Sequence, residues 1–160
     1  MTMLKKYLIV FLVSMVPLIE LRGAIPYAVG FGLPIVPSLV IAVVGNMLPV
    51  PFIFLFARKV LEWGKDKKYT GKFFTWCLEK GEKGGRKLEA KAGAGLYVAL
   101  LLFVGIPLPG TGAWTGTLAA SILDMDFNKS MLYIFLGLLL AAAIMLLASL
   151  GVFGAIDLLN

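Results

Sequence analysis

The chain has 160 residues, of which 60% are hydrophobic and 15% are charged, and its formal net charge is +6. Soluble domains carry about 25% charged residues, whereas the stretches 23–57, 92–123 and 130–156 contain none here. Each stretch exceeds the roughly 20 apolar residues that cross a bilayer as a helix. The composition therefore excludes a soluble domain and predicts an all-α integral membrane protein, with one membrane domain over 1–160.

Composition also limits the chemistry. The sequence has no histidine, the commonest metal ligand and general base, and its one cysteine, Cys77, excludes an intramolecular disulfide and a cysteine-based metal site. We therefore expect no enzyme activity, no cofactor and no metal. The positive charge would suggest nucleic acid in a soluble protein. Membrane orientation and anionic lipid explain it more simply here, so no nucleic-acid partner is predicted.

The N-terminal residues resemble a signal peptide, with Lys5 and Lys6 before an apolar run over 7–19, but no small-residue cleavage site follows. We treat this segment as part of the fold.

Proline removes a helical hydrogen bond and clashes with the preceding turn, so the stretch 17–26 cannot be regular helix throughout. Non-helical backbone at membrane depth needs protein or a water-filled cavity around it. These features predict a re-entrant helical hairpin over about 4–34.

A transmembrane helix from Ile35 to Phe56 follows and completes a first repeat over 4–56. Near its middle, Asn46 precedes two prolines that free backbone carbonyls. The Asn46 amide or a water would satisfy those carbonyls, or the helix forms a kink with its own support.

A basic connector over 57–92 comes next. Its stretch 58–91 holds 11 of the 15 Lys and Arg residues and 5 of the 9 acids, so the positive-inside rule predicts that it is cytoplasmic, in a multi-pass protein of the plasma (inner) membrane. The charges are interrupted by apolar residues that predict a short amphipathic helix on the membrane surface: Phe73, Phe74, Trp76, Cys77 and Leu78. A cover over the hairpin mouths is the alternative.

The second repeat, over 93–160, follows the same plan. Its hairpin spans about 94–124 with a proline-rich tip at 105–112, and its helix runs from Ser130 to about Leu158. If the connector is cytoplasmic, the two hairpins open to opposite sides and the repeats are inverted, as in many secondary transporters.

Two lysines argue against the inverted arrangement. It places Lys5 and Lys6 outside the cell, contrary to the positive-inside rule. A full crossing by residues 4–34 would change the parity.

Glu20 and Arg22 are the only charged residues between Lys6 and Arg58, and they lie at the first tip. Ionisable groups at membrane depth are expensive and often functional. Arg22 can grip a phosphate or carboxylate with two parallel hydrogen bonds. Desolvation favours the protonated form of a carboxylate, so Glu20 is the predicted proton-coupling residue. The alternative is that both side chains cap broken helices and pair with the other hairpin.

The second tip supplies backbone donors. A half-helix starting near Ala113, with Thr111 as its N-cap, would direct unpaired N–H groups and a partial positive charge at mid-membrane. The predicted substrate-binding residues are therefore Arg22, Gly23, Asn46, Pro109, Gly110, Thr111, Gly112, Ala113, Trp114 and Thr115.

Three motifs carry a family resemblance. The stretches 20–26 (ELRGAIP), 45–51 (GNMLPVP) and 107–116 (PLPGTGAWTG) resemble the family of small multi-drug export proteins over essentially the whole chain. The architecture distantly resembles the DedA superfamily, whose members are thought to have two opposed re-entrant loops, each followed by a span. Some of those members are implicated in polyprenyl-phosphate translocation, and others are linked to drug and proton-motive-force phenotypes. The acidic and arginine motifs of that superfamily are only partly matched, by Glu20 and Arg22.

These observations predict a small, proton-coupled secondary transporter that moves an amphipathic substrate by alternating access, as a homodimer in contact with membrane lipids. Arg22 and the helix N-termini favour an anionic group such as a lipid phosphate. The family resemblance favours a multidrug exporter of lipophilic cations. A non-transporting membrane scaffold that uses the basic connector is the third hypothesis.

Overall fold

The computed structural model describes residues 2–67, 71–72, 74–76, 79 and 94–159, and this part of the chain is helical without any strand. Seven helices have both ends within it. They are α1 (Met3–Met15), α2 (Glu20–Gly30), α3 (Ile35–Met47), α4 (Val50–Lys65), α5 (Ala94–Gly105), α6 (Ala113–Ile122) and α7 (Phe127–Leu159).

Four of the helices are short. α1 and α2 have 13 and 11 residues, and α5 and α6 have 12 and 10, against about 20 for a helix that crosses a bilayer. The chain leaves the helical conformation between α1 and α2 and again between α5 and α6, in the two proline-rich stretches where breaks were predicted. Pro26, however, lies inside α2, so the first break is confined to the residues just before Glu20.

Two helical units are long enough and apolar enough to cross a membrane. One is Ile35–Lys65, with a mean hydropathy of 2.3 over its most apolar window, and the other is Phe127–Ile156, with 2.6. The first unit joins α3 to α4 through Leu48 and Pro49, whose φ and ψ angles are right-handed helical. The unit therefore keeps one helical register along its length.

Two predicted helix ends are wrong. α4 continues beyond Phe56 to Lys65, because the sequence has no proline there and Arg58 pairs with Glu62 one turn on. α7 begins at Phe127 rather than Ser130, since the Asp126 carboxylate accepts a hydrogen bond of 2.8 Å from the Lys129 N–H and caps the helix.

The two arms of each helical hairpin pack against different halves of the chain. α2 packs against α7, and α6 packs against α4, so the second arm of each hairpin contacts the long helix of the other half. α1 packs on α3 and α5 packs on α7, so each first arm stays with its own half. Ring contact between Phe54 and Phe127 joins α4 to the start of α7.

The described part of the connector folds back on α4. Phe74 lies against Gly64, where an added Cβ would be 3.0 Å from the Phe74 Cγ and closer still to its Cδ2 and Cε2. Trp76 is exposed. The predicted amphipathic residues Phe73, Cys77 and Leu78 lie outside the described residues, as does 80–93.

Gly45 sets the spacing of α1 and α3. A Cβ at Gly45 would be 2.8 Å from the Phe11 carbonyl oxygen and would overlap Ser14 Oγ. Because a backbone atom cannot rotate away, we expect Gly45→Ala to separate the helices and lower the free energy of unfolding by about 1–3 kcal/mol. Thermal unfolding in detergent measures the effect. Gly151→Ala, with nothing within 4 Å of the new methyl, should leave the midpoint unchanged or raise it, and equal midpoints for both variants would contradict the expectation.

Candidate site where the hairpin tips meet

Glu20 joins the first hairpin to the second. Its side chain is 3% exposed, and its carboxylate accepts hydrogen bonds from the backbone N–H of Ala113, at 3.2 Å, and of Trp114, at 3.0 Å. These two N–H groups belong to the first turn of α6, which has no carbonyl partners for them within the helix. A carboxylate there also complements the positive end of the helix dipole. Glu20 therefore caps α6 from another hairpin.

Arg22 holds the other side of the same turn. Its Nη1 donates to the Leu108 carbonyl at 2.7 Å, and its Nη2 lies 3.2 Å from the Ile106 carbonyl and 2.9 Å from Thr111 Oγ1. A longer contact, 3.4 Å, reaches the Val104 carbonyl near the end of α5. A cation suits the negative end of a helix dipole and the carbonyls that lack partners there. Arg22 thus caps α5 while Glu20 caps α6.

An unusual backbone conformation lets the two side chains reach both helix ends. Residues two apart on a regular helix point away from each other, but Glu20 has a φ of +53° at the very start of α2. A positive φ is uncommon in residues other than glycine and often occurs at functional sites.

Gly112 provides the space for the Glu20 carboxylate. It is the N-cap residue of α6, with a φ of +137° and a ψ of −174°, a region that is essentially restricted to glycine. A Cβ there would lie 2.8 Å from both Cδ and Oε1 of Glu20 and closer still to Oε2. The prediction that Thr111 caps α6 is wrong. The Thr111 hydroxyl lies 3.0 Å and 2.8 Å from the Ile106 and Leu108 carbonyl oxygens within its own turn, and the Glu20 carboxylate takes the capping position.

The other predicted residues differ in their surroundings. Gly23 lies against Ile19, and Ala113 is fully buried. Pro109 and Gly110 are exposed at the tip, and Gly110 has a φ of +79° with nothing within 4 Å of an added Cβ. Thr115 Oγ1 contacts the Gly112 carbonyl at 3.4 Å, which is a weak bond within its own helix.

Asn46 and Trp114 stand out because they have polar atoms without partners. Asn46 is fully buried, and neither its Nδ2 nor its Oδ1 has a hydrogen bond. Of the alternatives for Asn46, the one in which its amide satisfies the carbonyls freed by the prolines is therefore wrong. The indole Nε1 of Trp114 is also buried without a partner. An unpaired amide in an apolar medium costs roughly 2–7 kcal/mol.

The individual groups that Arg22 contacts could not be assigned from the sequence. Three of the four are backbone carbonyls, at Val104, Ile106 and Leu108, and a carbonyl has no residue-type signature. The proline-rich composition of the tip was the available signal, since prolines leave nearby carbonyls without helical donors. Among the described residues, no group of three His, Cys, Asp or Glu side chains is placed to hold a metal ion.

The helices of the described residues, two of them long and apolar enough to cross a membrane, indicate a membrane protein whose halves meet at two charged helix caps. Residues 20–144 match the model of the family described as "Putative small multi-drug export protein", and the chain belongs to this family. No curated protein and no solved structure matches the chain. The predicted family is therefore confirmed, while the more distant DedA resemblance stays a prediction.

Proposed function

We propose that the protein is a small, proton-coupled secondary transporter that moves an amphipathic substrate by alternating access between two opposed re-entrant hairpins. The observation that carries the proposal is the junction of the tips, where Glu20 and Arg22 of one hairpin hold the two helix ends of the other. Charged groups at membrane depth are expensive, and a junction with only a few polar bonds is a suitable place for a conformational switch.

The packing supports re-entrant hairpins. Gly105, where α5 ends, lies against Leu140 near the middle of α7, so the second tip turns back about halfway along a membrane-crossing helix. At the first tip, Ser14 lies against Gly45, well inside the long unit Ile35–Lys65. The four short helices fit the same interpretation, because none reaches across a bilayer.

The packing of each second arm against the long helix of the other half supports inverted repeats. α6 runs parallel to α4, because Ser121 Oγ donates to the Phe54 carbonyl at 2.7 Å and Asp124, one turn on, pairs with Arg58. α2 runs parallel to α7, with Ile25 and Val29 near Leu146 and Gly30 beside Phe153. This reciprocal packing is what an approximate two-fold axis in the membrane plane would produce.

Protonation of Glu20 provides a physical coupling step. The ionised carboxylate accepts charge-assisted hydrogen bonds from Ala113 and Trp114, and such bonds are roughly twice as strong as neutral ones. A proton on the carboxylate removes its charge and weakens its hold on the positive end of α6. Binding and release of one proton would then tighten and loosen the contact between the hairpins.

The geometry bears on the two candidate substrates. An anionic headgroup, such as a lipid phosphate, would have to compete for Arg22 with the carbonyls of Leu108 and Ile106 and with Thr111. A lipophilic cation, which the family name favours, needs no such exchange. Apolar surface for either is available in a groove of about 360 Å³ between α3 and α7, lined in part by Val40, Val43, Phe135 and Leu139.

Proton flux in liposomes tests the proposal. Purified protein would be reconstituted with a pH-sensitive dye inside, and tetraphenylphosphonium or a polyprenyl phosphate would be added in separate arms. We expect one of them to drive proton flux through the wild type, and Glu20→Gln to reduce that flux at least about tenfold, because the amide cannot exchange a proton. Glu62→Gln, which changes an exposed carboxylate outside the junction, is the matched control. Unchanged flux in Glu20→Gln would contradict the proposal.

The scaffold hypothesis makes the opposite prediction. A scaffold that acts through the basic connector would keep its cellular activity in Glu20→Gln and Arg22→Ala and lose it when the charges across 65–87 are reversed.

Side-specific labelling of single cysteines at Lys5 and Gly84, in a Cys77→Ser background, tests the topology. Inverted repeats require the two sites to react from opposite sides, and the cytoplasmic location of 58–91 requires Gly84 to react from inside.

A further inference from the structure

α6 is held to the first half of the chain at both of its ends. Its first turn is held by the Glu20 carboxylate. At its last turn, Ser121 Oγ donates to the Phe54 carbonyl of α4 at 2.7 Å. Just after α6 ends, Asp124 pairs with Arg58, one turn further along α4. The contacts of Ser121 and Asp124 with α4 are the connector-side contacts of α6, because α4 leads from there into the connector.

The connector-side contacts are of a kind that can break and form again. The side chains of Asp124 and Arg58 are 66% and 33% exposed, and exposed ion pairs contribute little to stability. The bond from Ser121 is a single neutral hydrogen bond, whose net contribution is also small. Little free energy is therefore needed to break these contacts.

α5, the other arm of the second hairpin, is fixed more firmly. It packs on α7 at Gly137, where an added Cβ would be 2.8 Å from the Leu101 carbonyl oxygen and from Val104 Cβ. At the end of α5, an added Cβ at Gly105 would be 3.2 Å from the Gly137 carbonyl oxygen. Small residues allow such close approach of two helix backbones, and backbone atoms cannot rotate aside. α6 is therefore the arm that is freer to move.

A groove between the two arms gives α6 room on the side that faces α5. Its volume is about 160 Å³, whereas close-packed interiors have few voids larger than a water molecule. The groove is lined in part by Leu96, Ala99 and Leu100 of α5 and by Ala119, Ala120 and Leu123 at the end of α6. Nearer the tip the arms touch, because an added Cβ at Gly116 would be 2.8 Å from Val104 Cγ2. The connector-side half of α6 therefore has space that its tip half lacks.

We propose that the connector-side contacts of α6, at Ser121 and Asp124, form the gate that closes the transport path on the connector side. When the gate opens, the last turn of α6 moves away from α4 and toward α5. The inference rests on the proposed transport function and assigns the contacts that close one side in alternating access. Ser121 and Ala113 are eight residues apart, so the gate lies about 12 Å along α6 from the junction of the tips. Opening it would give the Glu20 carboxylate access to the connector side.

A reporter cysteine on α6 tests the gate. Thr117 is fully buried and lies one turn before Ser121 on the same face of the helix. Thr117→Cys, made in a Cys77→Ser background, changes the side-chain volume little. A membrane-impermeant methanethiosulfonate is added to one side of vesicles of known orientation, and the rate of labelling is measured. With the gate intact, we expect slow labelling from both sides.

Asp124→Asn, added to the reporter chain, should label at least about threefold faster from the connector side, because the neutral amide loses the ion pair with Arg58. Asp124→Arg should label faster still, since it brings two like charges together. Arg58→Asp combined with Asp124→Arg restores opposite charges and should slow the labelling again. Asp126→Asn is the matched control, because Asp126 is an acid in the same link that caps α7. Asparagine is an equally good cap, so this variant should label as its parent does.

Three outcomes would overturn the inference: equal rates in Asp124→Asn and Asp126→Asn, faster labelling from the side opposite the connector, or no slowing when the charges are exchanged. Asparagine tolerates the φ of +56° at residue 124, so the thermal midpoint of Asp124→Asn should stay close to that of its parent. Faster labelling with a clearly lower midpoint would indicate unfolding of α6 and would also overturn the gate. Labelling needs neither substrate nor a proton gradient, so failure of the gate is distinguishable from failure of transport, which proton flux driven by tetraphenylphosphonium measures.

Discussion

Gly112→Ala is expected to lower the free energy of unfolding by roughly 3 kcal/mol or more, and to abolish substrate-driven proton flux. The φ and ψ of Gly112 lie in a region that costs a residue with a Cβ about 1–3 kcal/mol. The methyl would also displace the Glu20 carboxylate, whose hydrogen bonds to α6 involve a charged group and contribute about 1.5–3 kcal/mol. Thermal unfolding in detergent and flux in liposomes measure the two effects.

Gly110→Ala is the matched control. Gly110 is in the same turn and also has a positive φ, but an added methyl meets nothing within 4 Å. It should show only the backbone penalty of about 1 kcal/mol and retain flux. If the two variants lost stability equally, the contact between Gly112 and Glu20 would not be the cause.

Helix capping explains how the charges of Glu20 and Arg22 are accommodated among apolar residues. Glu20 lies at the N-terminus of α6 and Arg22 at the C-terminus of α5, so each charge is opposite in sign to the helix end that it meets. Each also satisfies backbone groups that the break in the second hairpin leaves without helical partners. One three-residue segment, 20–22, therefore caps both ends of the broken helix. The alternative interpretation of the sequence anticipated this capping role.

The sequence predicted those parts of the fold that depend on local chemistry. Prolines and glycines marked both helix breaks, and the uncharged stretches marked the long helices. Both features are visible in the sequence because they depend only on the residue types of the segment itself. The end of α4 was missed because the charges after Phe56 were interpreted as the start of a connector. In the structure Arg58 lies within α4, where it pairs with Glu62 one turn on and with Asp124 in the link between α6 and α7.

The site could be predicted only in part, because its partners are distant in sequence. Glu20 and Arg22 were selected as isolated charges, and the second tip was selected as a source of N–H groups. Which of these charges contacts which group of the second tip depends on tertiary packing. Thr111 has the right residue type and spacing for an N-cap. A buried carboxylate from 93 residues away occupies that position instead.

Arg22→Ala is expected to lower the free energy of unfolding by about 2–4 kcal/mol. The substitution removes bonds from a charged donor, each contributing about 1.5–3 kcal/mol when buried and less where exposed, and it leaves the carbonyls of Ile106 and Leu108 without this donor. Arg22→Lys keeps the charge but presents a single ammonium in place of the planar fork, so roughly half of the loss should remain. Thermal unfolding in detergent measures both variants.

A comparison with Arg58→Ala tests whether the loss of stability in Arg22→Ala arises from the contacts between the two hairpin tips. Arg58 also pairs with two groups, Glu62 in its own helix and Asp124 in the link between α6 and α7. These acids are exposed, and such pairs contribute about 0–1 kcal/mol each. Arg22→Ala should therefore destabilise the protein clearly more than Arg58→Ala. A second measurement, cleavage of the 105–112 turn by an added protease, should accelerate in Arg22→Ala alone, because Arg22 and not Arg58 donates to the carbonyls of that turn. Equal stability and equal cleavage in the two variants would show that Arg22 does not hold the tips together, and the coupling assigned to the junction would then rest on Glu20 alone.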